Sequence, residues 1–81
     1  MLKIKDNVDL KELGKFGFKY FERFEEIYKR FENGILTSIN KKSRIIKNTK
    51  YYKGIIIGKN TYKKDIQDLI KAGLVEELCN Q

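Results

Sequence analysis

Asn33-Gly34-Ile35-Leu36-Thr37-Ser38-Ile39-Asn40-Lys41-Lys42-Ser43-Arg44-Ile45-Ile46-Lys47 carries a turn signal at its head and another at its centre. Asn-Gly is the strongest two-residue hairpin signal, because a type I′ turn needs positive φ at both central residues. Residues 35–39 have β-branched, strand-like content. Residues 40–43 make a polar four-residue turn, and 44–47 resume β-branched character, so 35–47 reads as a hairpin.

Upstream, residues 18–32 support two readings. Phe21, Phe24, Ile27, Tyr28 and Phe31 recur near the helical period, and Glu25/Lys29 and Glu26/Arg30 are favourable i,i+4 pairs. Gly34 then serves as a helix C-cap. The Asn33-Gly34 turn instead makes at least the end of this segment a strand paired with 35–39. Residues 19–32 therefore stay open between helix and strand. Downstream, Tyr51-Tyr52 and Gly54-Ile55-Ile56-Ile57-Gly58 supply a further strand, its isoleucines either buried on both faces or lying at a bulge.

The two ends read as helices. Asp9-x-x-Glu12 forms a capping box, Val8 can staple to Leu13, and Leu10, Leu13 and Phe16 make one apolar stripe ended by Gly17. Before it, Leu2 and Ile4 alternate with Lys3 and Lys5 as a short strand. Near the C-terminus Thr61 is the expected N-cap and Asp65 and Asp68 suit the positive end of a helix dipole. Ile66, Leu69 and Ile70 form the stripe, Gly73 ends it, and Leu74-Val75 packs back onto the sheet. The expected fold is one α+β domain over residues 1–81: a small antiparallel sheet of three to five strands flanked by an N-terminal and a C-terminal helix.

With 81 residues the core is thin, and a shallow working surface is expected rather than an enclosed pocket. The chain has no His, no Pro and no Trp, which removes the common general base and the common neutral metal ligand. Its one cysteine, Cys79, has neither an intrachain partner nor a base, and Glu76 and Glu77 beside it disfavour the thiolate. No carboxylate cluster has calcium-loop spacing. These features predict a protein with no catalysis, no metal and no cofactor. With no apolar run of membrane-spanning length and no signal-peptide pattern, a cytoplasmic location is expected.

The net charge is +7, and its distribution is uneven. Residues 41–64 hold nine cations, Lys41, Lys42, Arg44, Lys47, Lys50, Lys53, Lys59, Lys63 and Lys64, and no acidic residue. Tyr51, Tyr52 and Tyr62 are interleaved with them. Lysines can neutralise phosphates while exposed tyrosines stack on unpaired bases, which is the composition of a nucleic-acid surface. The same composition arises where lysine guards a sheet edge and tyrosine fills a core, or where the cations meet an acidic protein. Gly54-x-x-x-Gly58-Lys59 with Thr61 lacks the contiguous Gly-Lys-Ser/Thr of a phosphate-binding loop, and its glycines read as brackets of a buried strand. The candidate partner-binding residues are Lys41, Lys42, Arg44, Lys47, Lys50, Tyr51, Tyr52, Lys53, Lys59 and Tyr62.

Leu2-Lys3-Ile4-Lys5-Asp6-Asn7-Val8-Asp9-Leu10-Lys11-Glu12-Leu13, then Lys15-Phe16-Gly17-Phe18, together with Asp68-Leu69-Ile70-Lys71-Ala72-Gly73-Leu74-Val75-Glu76, resembles an uncharacterised family of short Gram-positive phage and prophage proteins. Where those relatives usually carry a charged residue this chain has Gly14, at a cost of about 1 kcal/mol in helix propensity relative to Ala. The resemblance implies a genetic setting and transfers no catalytic residue. It implies a non-enzymatic accessory protein in the cytoplasm of a bacterial host, binding and modulating a host protein or nucleoprotein complex, with inhibition of antiviral defence of the anti-CRISPR type as its role. The alternative is a small basic RNA- or DNA-binding module.

Overall fold

Positive φ at Asn33 (52°) and Gly34 (75°), and again at Lys53 (50°) and Gly54 (79°), builds two tight turns of the kind that match the twist of antiparallel strands. At Gly34 a Cβ would also come within 3.1 Å of the Tyr51 carbonyl oxygen. The computed structural model describes residues 1–23 and 26–78. Phe24 of the apolar stripe, Glu25 of the Glu25/Lys29 pair, and Cys79 lie outside the described residues.

The strands are β1 (Leu2–Ile4), β2 (Lys19–Phe21), β3 (Ile27–Glu32), β4 (Ile35–Asn40), β5 (Ile46–Tyr52), β6 (Ile55–Lys59) and β7 (Val75–Glu77). A five-stranded antiparallel meander runs β2-β3-β4-β5-β6, and β1 pairs with β7 in a separate two-stranded sheet. Residues 19–32 are thus two strands, with Ile27–Glu32 paired along its length with β4. Helical periodicity misleads here because the sheet assigns Tyr28 and Arg30 to one face and Ile27, Lys29 and Phe31 to the other. Arg30 accordingly meets Asp68 rather than Glu26.

The helices are shorter than the stripes suggest. Leu10–Phe16 is a 3-10 helix, in which the Asp9 carboxylate accepts from the Lys11 amide and the Glu12 amide donates to the Asp9 carbonyl. Gly14 in its middle and Gly17 at φ 87° leave little length for α-helical cooperativity. Near the C-terminus a 3-10 turn (Lys63–Ile66) continues into α1 (Gln67–Lys71). Thr61 does not cap it: its hydroxyl donates to the Ile46 carbonyl, and Tyr62 holds the cap position without a side-chain bond. Residues 74–75 join β1 instead of the large sheet, through Ile4↔Val75 and the Lys5 amide bond to the Leu74 carbonyl.

The stripe residues do pack. Leu10, Leu13, Ile66 and Leu69 are buried with Leu2, Ile4, Phe18, Ile39 and Ile46 in one core. That core covers one face of the sheet, where Arg30, Thr37, Ile39, Ile46 and Asn48 point inward. Among the described residues no helix is long and apolar enough to cross a membrane.

Candidate functional site

Alternation along the strands sends every second side chain to the face that neither the core nor a helix covers. The pairing registers set these outward residues in rows: Lys19-Lys29-Ser38-Lys47 across β2 to β5, and Phe31-Leu36-Thr49-Lys59 across β3 to β6. Phe21 and Ile27 flank the first row, and Tyr51 and Ile56 flank the second. None of these side chains is buried, and Phe31 is 64% exposed. Among the described residues, no carboxylate occupies an outward strand position in these rows.

Rings and ammonium groups interlock on this face. The Lys29 ammonium lies 5.6 Å from the Phe21 ring centroid, and the Phe31 and Tyr51 rings sit 6.2 Å apart with a 54° tilt. Lys19 and Lys29 are direct cross-strand neighbours, a like-charge pairing that costs stability. Beyond β5 a groove of about 520 Å³ shares Lys47, Thr49 and Lys59 with the face and reaches Lys63, whose ammonium is 3.2 Å from Glu77.

The ten residues expected from the basic middle segment do not form one surface. Lys47, Tyr51 and Lys59 belong to the outward face. Lys41 and Lys42 stand in the β4–β5 loop, while Tyr52 and Lys53 mark the β5–β6 turn at the other end of those strands, about 20 Å away by strand rise. Lys41 lies 3.9 Å from Glu26, and its contacts with Tyr20 first and Glu26 second hold its ammonium above the ordinary lysine range. Arg44 turns inward at φ 63° and donates to the Lys5 and Val8 carbonyls, both at 2.7 Å, so it fastens the N-terminal segment. Lys50 faces the helical side, 4.2 Å from the Tyr62 ring centroid and 3.8 Å from Asp65.

The isoleucine run is at the β6 edge and is not buried: Ile55 and Ile57 are 68% and 64% exposed. The bulge expected there is present, since Ile57 is the extra residue between the pairs Tyr51↔Ile56 and Lys50↔Gly58. The short helical layer does not extend over the edge strand. Five of the twelve outward residues named above, Lys19, Phe21, Ile27, Lys29 and Phe31, come from the segment whose sequence supports both helix and strand. Residues 27–32, Ile-Tyr-Lys-Arg-Phe-Glu, do not alternate apolar with polar, so the Asn33-Gly34 turn is the sequence signal that points to a strand here.

Among the described residues, a polyanion laid on this face meets cations, small hydroxyl groups, aromatic rings and the aliphatic side chains of Ile27, Leu36 and Ile56. Comparison with family models, with curated proteins and with solved structures returns no match to this chain.

Proposed function

We propose that this chain is a non-enzymatic binding protein whose working surface is the outward face of the five-stranded sheet and whose partner is an anionic macromolecule. The observation that carries this reading is the placement of Lys19, Lys29, Lys47 and Lys59 on one face with no carboxylate in their rows among the described residues. Summed over a low-dielectric sheet, such charges attract a polyanion over about a Debye length and speed its capture. The likeness of the chain's ends to phage and prophage proteins suggests that the partner belongs to a bacterial host, and that occupying a defence complex in the anti-CRISPR manner is the biological role.

Retention on heparin tests the reading. Lys29→Glu with Lys47→Glu should elute at clearly lower salt than the charge-matched pair Lys11→Glu with Lys71→Glu, whose residues are exposed outside the large sheet. Equal shifts in the two pairs would assign retention to net charge alone and remove the face.

A second reading, a packed protein partner on the β6 edge, draws on exposed Tyr52, Ile55, Ile56 and Ile57. Edge strands with unpaired backbone groups and few charges invite strand addition. Binding there would be nearly insensitive to salt, unlike binding to the lysine face.

A further inference from the structure

We infer that the occupant of the outward face is single-stranded nucleic acid, with bases on Phe31, Tyr51 and Phe21 and phosphates on Lys29, Lys47 and Lys59. The inference rests on the anionic-partner reading and narrows it. A duplex hides its base faces in its own stack and is read by helices or ribbons that enter a groove. Among the described residues this face is an open sheet with no projecting element, so it offers a duplex only its lysines. Its rings have no use for a duplex. Phe31 is 64% exposed and Phe21 is also exposed, and leaving phenyl rings in water forgoes burial free energy unless a partner covers them. Unpaired bases do so, because every base has a π-face and stacking is tolerant of sequence.

The geometry of the rows fits a strand crossing the sheet. Lys29, Ser38 and Lys47 are successive cross-strand neighbours, so the two ammonium stems are about 10 Å apart at their bases. The Phe31 row, with Tyr51 beside its ring, is the next outward row, about 7 Å along the strands. The Lys29-Lys47 row therefore runs between Phe21 on one side and Phe31 with Tyr51 on the other, within reach of a sugar-phosphate backbone, and Lys59 stands at the far end of the Phe31 row. Lys47, Thr49 and Lys59 also line the groove beyond β5, whose far wall carries Lys63 and Glu77. An acidic protein surface would pair with the lysines but would leave the phenyl rings facing carboxylates.

Fluorescence anisotropy with labelled oligothymidylate, oligouridylate and a mixed-sequence duplex of equal length tests this on the full chain. One or both single strands should bind at least about tenfold more tightly than the duplex at matched salt. Phe31→Leu and Tyr51→Leu, which remove a ring but keep an apolar side chain, should each weaken single-strand binding by about tenfold while heparin retention and duplex binding stay unchanged. Lys47→Ala should lower the slope of log affinity against log salt by roughly one. Circular dichroism melting confirms that each variant is folded, and Phe31→Leu suffices alone if Tyr51→Leu is not, given the exposure of Phe31. Equal or tighter duplex binding, or leucine variants that bind like the parent chain, would overturn the single-strand inference while heparin retention keeps the anionic-partner reading. Failure to bind any oligonucleotide with heparin retention intact would also overturn it, in favour of an acidic protein. Loss of the face-specific heparin effect would remove both.

Discussion

The two faces of the central strands differ in every physical respect although they share a backbone. Inward, Arg30, Thr37, Ile39, Ile46 and Asn48 are buried; outward, Lys29, Ser38, Lys47 and Thr49 alternate with them and none is buried. One face excludes water and is filled by the helical layer, so its worth is read in stability. The other keeps cations and rings in water, so its worth is read in binding. Substitutions on β3, β4 and β5 should therefore separate by parity rather than by position along the chain.

The largest effect should come from deleting an inward aliphatic group. Ile39 is fully buried at the centre of the sheet, and Ile39→Ala should cost about 2–5 kcal/mol, a large share of the stability of so small a domain. Leu36→Ala, three residues away on the same strand but on the outward face, should cost under about 1 kcal/mol. Urea unfolding of both variants makes the comparison. Similar losses would show that something covers the outward face in the free protein.

A smaller loss is expected at the buried cation of the inward face. Arg30 donates to Asp68 at 2.5 Å and to the Phe16 carbonyl at 3.0 Å, and its guanidinium carbon lies 4.6 Å from the Phe18 ring centroid. Its side chain is 9% exposed while that of Asp68 is 43% exposed. Removing one partner of a buried pair is strongly destabilising, but water reaches Asp68, so Asp68→Asn should cost about 1–3 kcal/mol rather than the full penalty. Heparin retention should not fall, because this arginine is spent on joining β3 to the two helical segments. A weaker retention after Asp68→Asn, with the fold intact, would blur the division between a stabilising face and a binding face.

Much of the sheet was legible because local chemistry and tertiary pairing agree there. Asn33-Gly34 is a turn in sequence and in structure, and 35–39 pairs with 46–50 as the hairpin reading expects. Tyr51 and Tyr52, by contrast, end β5 instead of opening the next strand, because the turn falls at Lys53-Gly54. Of the two expectations for the isoleucines of β6 the bulge is present and the burial is not, because a thin helical layer leaves an edge strand uncovered. The N-terminal helix was overestimated because a stripe of Leu10, Leu13 and Phe16 at spacing three suits a 3-10 helix as well as an α-helix. The candidate face was half hidden for a different reason. Charge density along the sequence singled out residues 41–64, yet a meander gathers its face from every strand, so Lys19 and Lys29 stand beside Lys47 while Arg44 and Lys50 turn away.

The smallest effect should also be the most discriminating, because it has opposite signs on the two properties. Lys19 and Lys29 face each other directly across β2 and β3, and like charges in that position repel. Nothing in the folding of the sheet requires two lysines there. Lys19→Glu replaces the repulsion with a cross-strand ion pair, so the variant should be more stable than the parent by about 0.2–1 kcal/mol. The gain should shrink as salt is raised, because Lys19 is exposed and the interaction is screened. On the same face, the substitution removes one phosphate-neutralising charge and adds a carboxylate, so affinity for a polyanion should fall and its salt dependence should weaken. Thermal melting at low and high salt, set beside heparin elution, measures both. A variant that melts higher and binds less tightly shows that the outward face carries charge at the expense of the fold; a variant that loses stability as well shows that Lys19 packs its stem on β3 and belongs with the structural residues instead.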